Sequence, residues 1–237
     1  MPGIFLQTGS AMVKPDGLRY IPCMDIRPSI RFTALLLGAV LALLAACGKE
    51  DKETAIPPGS RVLALGDSLT EGLGVKREEA WPALLADKTG WDVSNGGVSG
   101  DTSEAALKRL PHLLEQHEPV LVLVALGGND MLRRIPPQEI IANLEKILVL
   151  IKARGAKPVL LSIPQPSLAG AVFQNLSAPG FYRELAAAQQ VPLIEDAVPD
   201  VLSDPQLKAD QIHPNAAGHA LLAETIFGEL ASIGYAP

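Results

Sequence analysis

From Arg61 onward, short unbroken apolar runs alternate with stretches in which apolar residues recur every three or four positions. The runs fall at 62–65, more weakly at 91–95, and then at 120–126, 158–163 and 191–194. Continuous apolar runs of this length suit strands buried on both faces. The periodic stretches between them suit amphipathic helices. One begins near Asp101, where Asp101 and Glu104 have capping-box spacing, and Leu107, Leu110 and Leu114 mark its inward face. A second covers about 137–154, with Ile140, Leu144, Ile147, Leu148 and Ile151 in register and Gly155 as its stop. A third covers about 178–190. The last opens at Pro214, a favoured first-turn residue, with Leu222, Ile226 and Leu230 as its stripe. Five strands alternating with helices predict an α/β domain in three layers, a parallel sheet between two sets of helices. In such a sheet, sites form where strands hand over to helices at their carboxyl ends.

The pattern ahead of this domain is of another kind. Residues 32–46 form an apolar run preceded by Arg27 and Arg31. It is short for a membrane span, which needs about 20 residues. A basic region, a short apolar region and small residues at its end describe a secretory signal. Met24 gives a more usual start for such a signal than Met1 does. The stretch Leu44-Ala45-Ala46-Cys47 resembles the lipobox of bacterial lipoproteins, which implies cleavage before Cys47 and acylation of its thiol. A plain signal peptide cleaved nearby, or an uncleaved anchor, are the alternatives. The expected organisation is therefore a leader over 1–47, a charged tether over 48–60 able to reach about 40 Å, and a folded domain over 61–237.

Composition narrows the class. Hydrophobic residues make up 48% and aromatics only 4%, which suits an α/β domain rich in Ala, Leu and Val over a β-sandwich. The formal charge is −6 and no basic stripe interrupts it, which argues against nucleic acid as a partner. With Cys23 lost in the leader and Cys47 capped, no disulfide is available, and the core alone must hold the fold.

Candidate chemistry sits at the expected strand ends. Ser68, in Gly66-Asp67-Ser68-Leu69-Thr70, directly follows the first apolar run. Far downstream, Asp210 and His213 stand three residues apart. Nucleophilic serine catalysis needs a hydroxyl, a base to take its proton and an acid to orient the base. Ser68 is the candidate nucleophile, His213 the base and Asp210 the orienter. The same residue types also serve as caps and turns, and a single short motif does not separate the two uses. Pro214 pushes His213 toward an extended backbone, which suits a side chain projecting from a loop. His112 and His117 read as solvated helix positions, and His219 as facing solvent or a packing edge. Gly100 and Asn129 lie in glycine-rich turns after two of the runs and are candidate oxyanion donors beside the Ser68 N–H. Ser99 is a rival nucleophile with no acid–base pair tied to it. No Gly-x-Ser-x-Gly elbow occurs, which argues against the α/β-hydrolase type. The glycine turns match neither a Gly-x-Gly-x-x-Gly fingerprint nor a phosphate loop, and Asp101 and Asp130 beside them would repel phosphate. Activity is expected to rise with pH as His213 gives up its proton.

Four blocks thus stand in order: Gly66-Asp67-Ser68-Leu69, Gly100, Gly127-Gly128-Asn129-Asp130 and Asp210-x-x-His213. Together they resemble the SGNH (GDSL-type) hydrolases, and within them the bacterial arylesterases and multifunctional thioesterase/lysophospholipases. Ala80-Trp81-Pro82-Ala83-Leu84-Leu85, Ser99-Gly100-Asp101-Thr102-Ser103 and Ile212-His213-Pro214-Asn215 are similar to that branch as well, and the resemblance runs from about Arg61 to Ile233. It implies a flavodoxin-like order of five parallel strands and a Ser68–His213–Asp210 triad. It implies an oxyanion hole of the Ser68 N–H, the Gly100 N–H and the Asn129 amide. It also implies ester and thioester hydrolysis through an acyl-serine, with no metal or organic cofactor. The substrate would be a small acyl ester or thioester, with lysophospholipids among the options. Within the family, soluble periplasmic forms are the rule for the thioesterases, whereas the Cys47 lipobox points to a membrane-anchored form facing the periplasm. Met131 stands where the family also has small residues. The segment from Gln165 to Gly180 matches no family pattern and is expected to border the acyl pocket. Carbohydrate O-deacetylation and a non-catalytic ligand-binding lipoprotein are the alternatives; the first is disfavoured because Trp81 and Trp91 are the only tryptophans.

Overall fold

The computed structural model describes residues 55–167, 170 and 174–236. The expected leader, its alternative start Met24, Cys23 and the lipobox Cys47 lie outside the described residues. The strands are β1 (Arg61–Gly66), β2 (Asp92–Gly97), β3 (Leu121–Ala125), β4 (Lys157–Leu161) and β5 (Leu193–Ile194). All neighbours are parallel, in the order β2-β1-β3-β4-β5. That is the flavodoxin-like order, and it bears out the expected fold. Every residue of β3, the central strand, is buried, as its unbroken apolar sequence requires. The edge strand β2 is half exposed and reads Asp-Val-Ser-Asn-Gly-Gly, which explains its weak apolar signal.

The helices are α1 (Ser68–Glu71), α2 (Trp81–Thr89), α3 (Ser103–His117), α4 (Gly128–Leu132), α5 (Pro137–Ala153), α6 (Phe181–Gln189), α7 (Ala197–Ser203) and α8 (Ala216–Ser232). On one face α8 packs on α2 and α7; on the other α5 packs on α3 and α6. The stripe Ile140, Leu144, Ile147, Leu148 and Ile151 is buried along α5, as are Leu222, Ile226 and Leu230 along α8. Among the described residues no helix is long and apolar enough to cross a membrane.

Three local expectations are corrected. The cap of α3 is Thr102, whose hydroxyl accepts from the Ala105 N–H; the Asp101 carboxylate instead pairs with Arg109 at 2.6 Å. Helix α8 opens at Ala216 behind Asn215, whose side chain accepts from the Gly218 N–H at 3.0 Å. Pro214 stays outside it, bridged antiparallel to Lys208. Finally, the chain is docked before Arg61: Ile56 is buried, donates its N–H to Tyr235 O at 2.8 Å and accepts from Trp91 Nε1 at 3.0 Å. The end of the segment expected as tether is thus part of the domain.

Candidate active site

The turn after β1 is built without spare room. A Cβ on Gly66 would stand 2.0 Å from Thr70 Oγ1, so only glycine fits there. Asp67 then caps α1: its Oδ1 accepts from the Leu69 N–H at 3.0 Å, and its carbonyl accepts from the Thr70 and Glu71 N–H groups. Ser68 is therefore the first residue of a helix, with its hydroxyl at the carboxyl end of the sheet. Ser68 Oγ lies 3.0 Å from His213 Nε2, across 145 residues of chain.

His213 is held by a closed loop. The bridge between Lys208 and Pro214, with the Ala209 N–H donated to His213 O at 2.9 Å, brings the loop's ends together. Inside it, Asp210 Oδ1 accepts from the Ile212 and His213 N–H groups, each at 2.8 Å, and Oδ2 faces His213 Nδ1 at 2.8 Å. Partial burial pulls the Asp210 carboxyl up, but the bonds from the His213 ring and the two N–H groups outweigh it and hold the carboxyl below its ordinary range. An ionised Asp210 fixes the ring so that Nε2 points at the serine.

The proposed donors meet through one side chain. Asn129 Nδ2 donates to Asp67 Oδ2 and to Asp101 O, both at 3.0 Å. It thereby ties the residue before Ser68 to the residue after Gly100. Gly100 has φ +81°, a left-handed conformation that suits glycine, and its carbonyl accepts from Arg133 at 2.7 Å. The structure brings Ser68, His213, Asp210, Asn129 and the Gly100 turn to one edge, and leaves others out. Ser99 donates its hydroxyl and its N–H to the Glu71 carboxylate, with no imidazole in reach. His219, expected to face solvent or a packing edge, is fully buried, with its Nδ1 accepting from the Trp81 N–H at 3.4 Å.

A cavity of about 470 Å³ opens beside Ser68 and His213. Its walls are largely apolar, with Leu132, Ile163, Leu176, Leu202 and Ile212 among them. Gln165, Pro166 and Ser167 also line it, so the segment expected to border an acyl pocket does border the cavity. Among the described residues no three His, Cys, Asp or Glu side chains cluster to hold a metal ion.

The supports of this site carry no motif of their own. Asp67 is 2% exposed, and burial pushes its carboxyl up to about 6 against the pull of Leu69, Asn129 and His213. Arg109 binds Asp101 and also donates to Gly66 O at 2.9 Å, joining the turns after β1 and β2. Asp130 is buried and accepts from the Ser103 N–H at 2.8 Å and its hydroxyl at 2.6 Å, pinning α4 to the start of α3. The only advance signal was charge beside glycine turns, which elsewhere means solvent.

Comparison with known proteins follows the same outline. A model of the GDSL-like Lipase/Acylhydrolase family matches residues 64–221. An arylesterase of Vibrio mimicus is 40% identical over 176 residues, 72% of this chain and 88% of that protein. The thioesterase 1/protease 1/lysophospholipase L1 of Escherichia coli is 41% identical over 174 residues, 71% of this chain and 82% of that protein. The crystal structure of the psychrotrophic esterase EstA from Pseudoalteromonas, inhibited by monoethylphosphonate, superimposes with a TM-score of 0.63 at 29% identity, covering 72% of this chain and 96% of that one.

Proposed function

The chain belongs to the GDSL-like lipase/acylhydrolase family and hydrolyses esters, and from that premise we propose that it works through an acyl-enzyme on Ser68. The observation that carries this is the continuous relay from Ser68 Oγ to His213 Nε2 at 3.0 Å and from His213 Nδ1 to Asp210 Oδ2 at 2.8 Å. His213 takes the serine proton as Oγ attacks the carbonyl carbon. The Ser68 N–H, the Gly100 N–H and the Asn129 amide receive the charge that develops on the carbonyl oxygen. His213 then delivers the proton to the departing alcohol or thiol. Water, deprotonated by the same imidazole, releases the acid and restores Ser68.

Small esters and thioesters are the substrate class, after the arylesterase and thioesterase relatives. The cavity supports an aliphatic acyl group: its volume lies within the range of small-molecule sites, and its apolar wall stands directly beside the nucleophile. A lysophospholipid fits the same description. We also propose attachment to a membrane through acylated Cys47, supported by the likeness of Leu44-Ala45-Ala46-Cys47 to a lipobox.

The test is intact mass after treatment with a fluorophosphonate. One adduct is expected on the wild-type protein and none on Ser68→Ala. A folded wild-type protein that takes no adduct would overturn Ser68 as the nucleophile.

A further inference from the structure

The amide nitrogen of Asn129 has two N–H donors, and both are engaged before any substrate binds. One goes to Asp67 Oδ2 and the other to Asp101 O, each at 3.0 Å. An oxyanion therefore has to take one of these bonds over. The two acceptors differ in strength. Asp67 offers a carboxylate, which makes the stronger, charge-assisted bond when ionised; Asp101 offers a neutral carbonyl. The carboxylate is also the more rigid partner. It is 2% exposed, and its other oxygen is held by the Leu69 N–H at 3.0 Å. Its Oδ2 lies 3.6 Å from where a Cβ on Gly128 would stand, so the residue before Asn129 runs close against it.

We propose that Asp67 is the positioning residue of the oxyanion hole: its carboxylate fixes one N–H of Asn129, so that the other, released by the Asp101 carbonyl, turns to the substrate oxygen as charge develops there. This rests on Asn129 being the donor, as proposed above. Asp67 touches no reacting atom; it acts through Asn129. Its isostere cannot replace it. Asparagine at position 67 has one acceptor and one donor, whereas Leu69 and Asn129 both bring donors, so either the cap or the clamp is lost. Serine at position 67 keeps the cap, being a favoured cap residue, but is too short to hold Asn129.

The experiment is a double-mutant cycle on hydrolysis of a p-nitrophenyl ester, with thermal midpoints and fluorophosphonate labelling measured on each protein. Asn129→Ala is expected to lower kcat about 100- to 1,000-fold. Asp67→Ser is expected to fold, to label on Ser68, and to lose about 10- to 100-fold in kcat with KM within about threefold. The double variant should fall no lower than Asn129→Ala alone, because the first change acts only through the second residue. Asp67→Asn should lose as much as Asp67→Ser. A double variant whose loss is the product of the two single losses would overturn the proposal, as would Asp67→Ser with wild-type kcat. Wild-type kcat in Asn129→Ala would overturn the donor role and this proposal together, while labelling of Ser68 would leave the nucleophile standing.

Discussion

His219 stands six residues beyond His213, yet the two imidazoles meet opposite surroundings. His213 is bonded at both nitrogens within the proposed triad. His219 is 0% exposed; Trp81 donates its N–H to Nδ1 at 3.4 Å, and among the described residues Nε2 has no hydrogen-bond partner. Burial, and then the charge of His213, pushes its pKa down from 6.5 to about 4. The folded protein therefore holds His219 neutral where the unfolded chain protonates it. Its contribution is complete above 6.5 and is lost as pH falls toward 4, by about 3 kcal/mol at most. Asp67 has the opposite sign. Its raised carboxyl contributes fully below 3.8, and that contribution is lost as pH rises through about 6. Chemical denaturation between pH 7 and pH 4 is the check. His219→Gln should flatten the acid loss of stability, and Asp67→Asn should steepen it. Equal slopes in all three proteins would refute both assignments.

At the scale of elements, the helix that carries Ser68 is held by the strand beside it. Asn95 in β2 donates to Thr70 O at 2.8 Å and Glu71 O at 3.3 Å, satisfying carbonyls at the end of α1. Two residues on, a Cβ at Gly97 would stand 2.1 Å from the Glu71 backbone nitrogen. Gly97→Ala must therefore displace α1, and Ser68 with it. A loss of about 1–3 kcal/mol in stability is expected. A fall of at least about tenfold in kcat should accompany it. Urea melts and ester kinetics check the two together. Long helices such as α5 and α8 were legible because their stripes repeat over about two to three turns. The short helices α1, α4 and α7 were not, since a turn or two carries no period. Helix α2, with Pro82 in its first turn, starts behind Ala80, which makes no side-chain cap bond.

For the whole molecule, the docking of Ile56 on Tyr235 sets the reach of the proposed anchor. Residues 48–55 span about 30 Å at most. The domain would therefore work within that distance of the lipid surface. Cys47→Ser should abolish labelling of the protein by a fatty-acid probe in cells without changing kcat on a soluble ester. Detection of the acyl label together with activity assays checks it; undiminished labelling would exclude Cys47 as the attachment point. The exposed apolar residues Leu132 and Ile212 border the same cavity as Ser68, which suits substrates with acyl chains.

The alternation of strands and helices, the buried stripes and the order of the four blocks were determined by the sequence alone, because each is a pattern of local period or a short motif. Ser68 and the Asp210–His213 pair belong with these, since a strand end, a Pro-restricted histidine and a three-residue spacing are local features. Only the tertiary structure decided what the polar residues between them do. Asp67, Asp101, Asp130 and Arg109 look like solvated charge along the chain, yet they bond partners 27 to 62 residues away, and Asp101 and Arg109 also bond one another. His219 lies three residues before Leu222, in register with the buried stripe of α8, so its face was legible in the sequence while the neutral state that its burial imposes was not. The reason is the same in each case: desolvation and long-range hydrogen bonds depend on which surfaces the fold closes over, and closure is a property of packed elements rather than of any one of them.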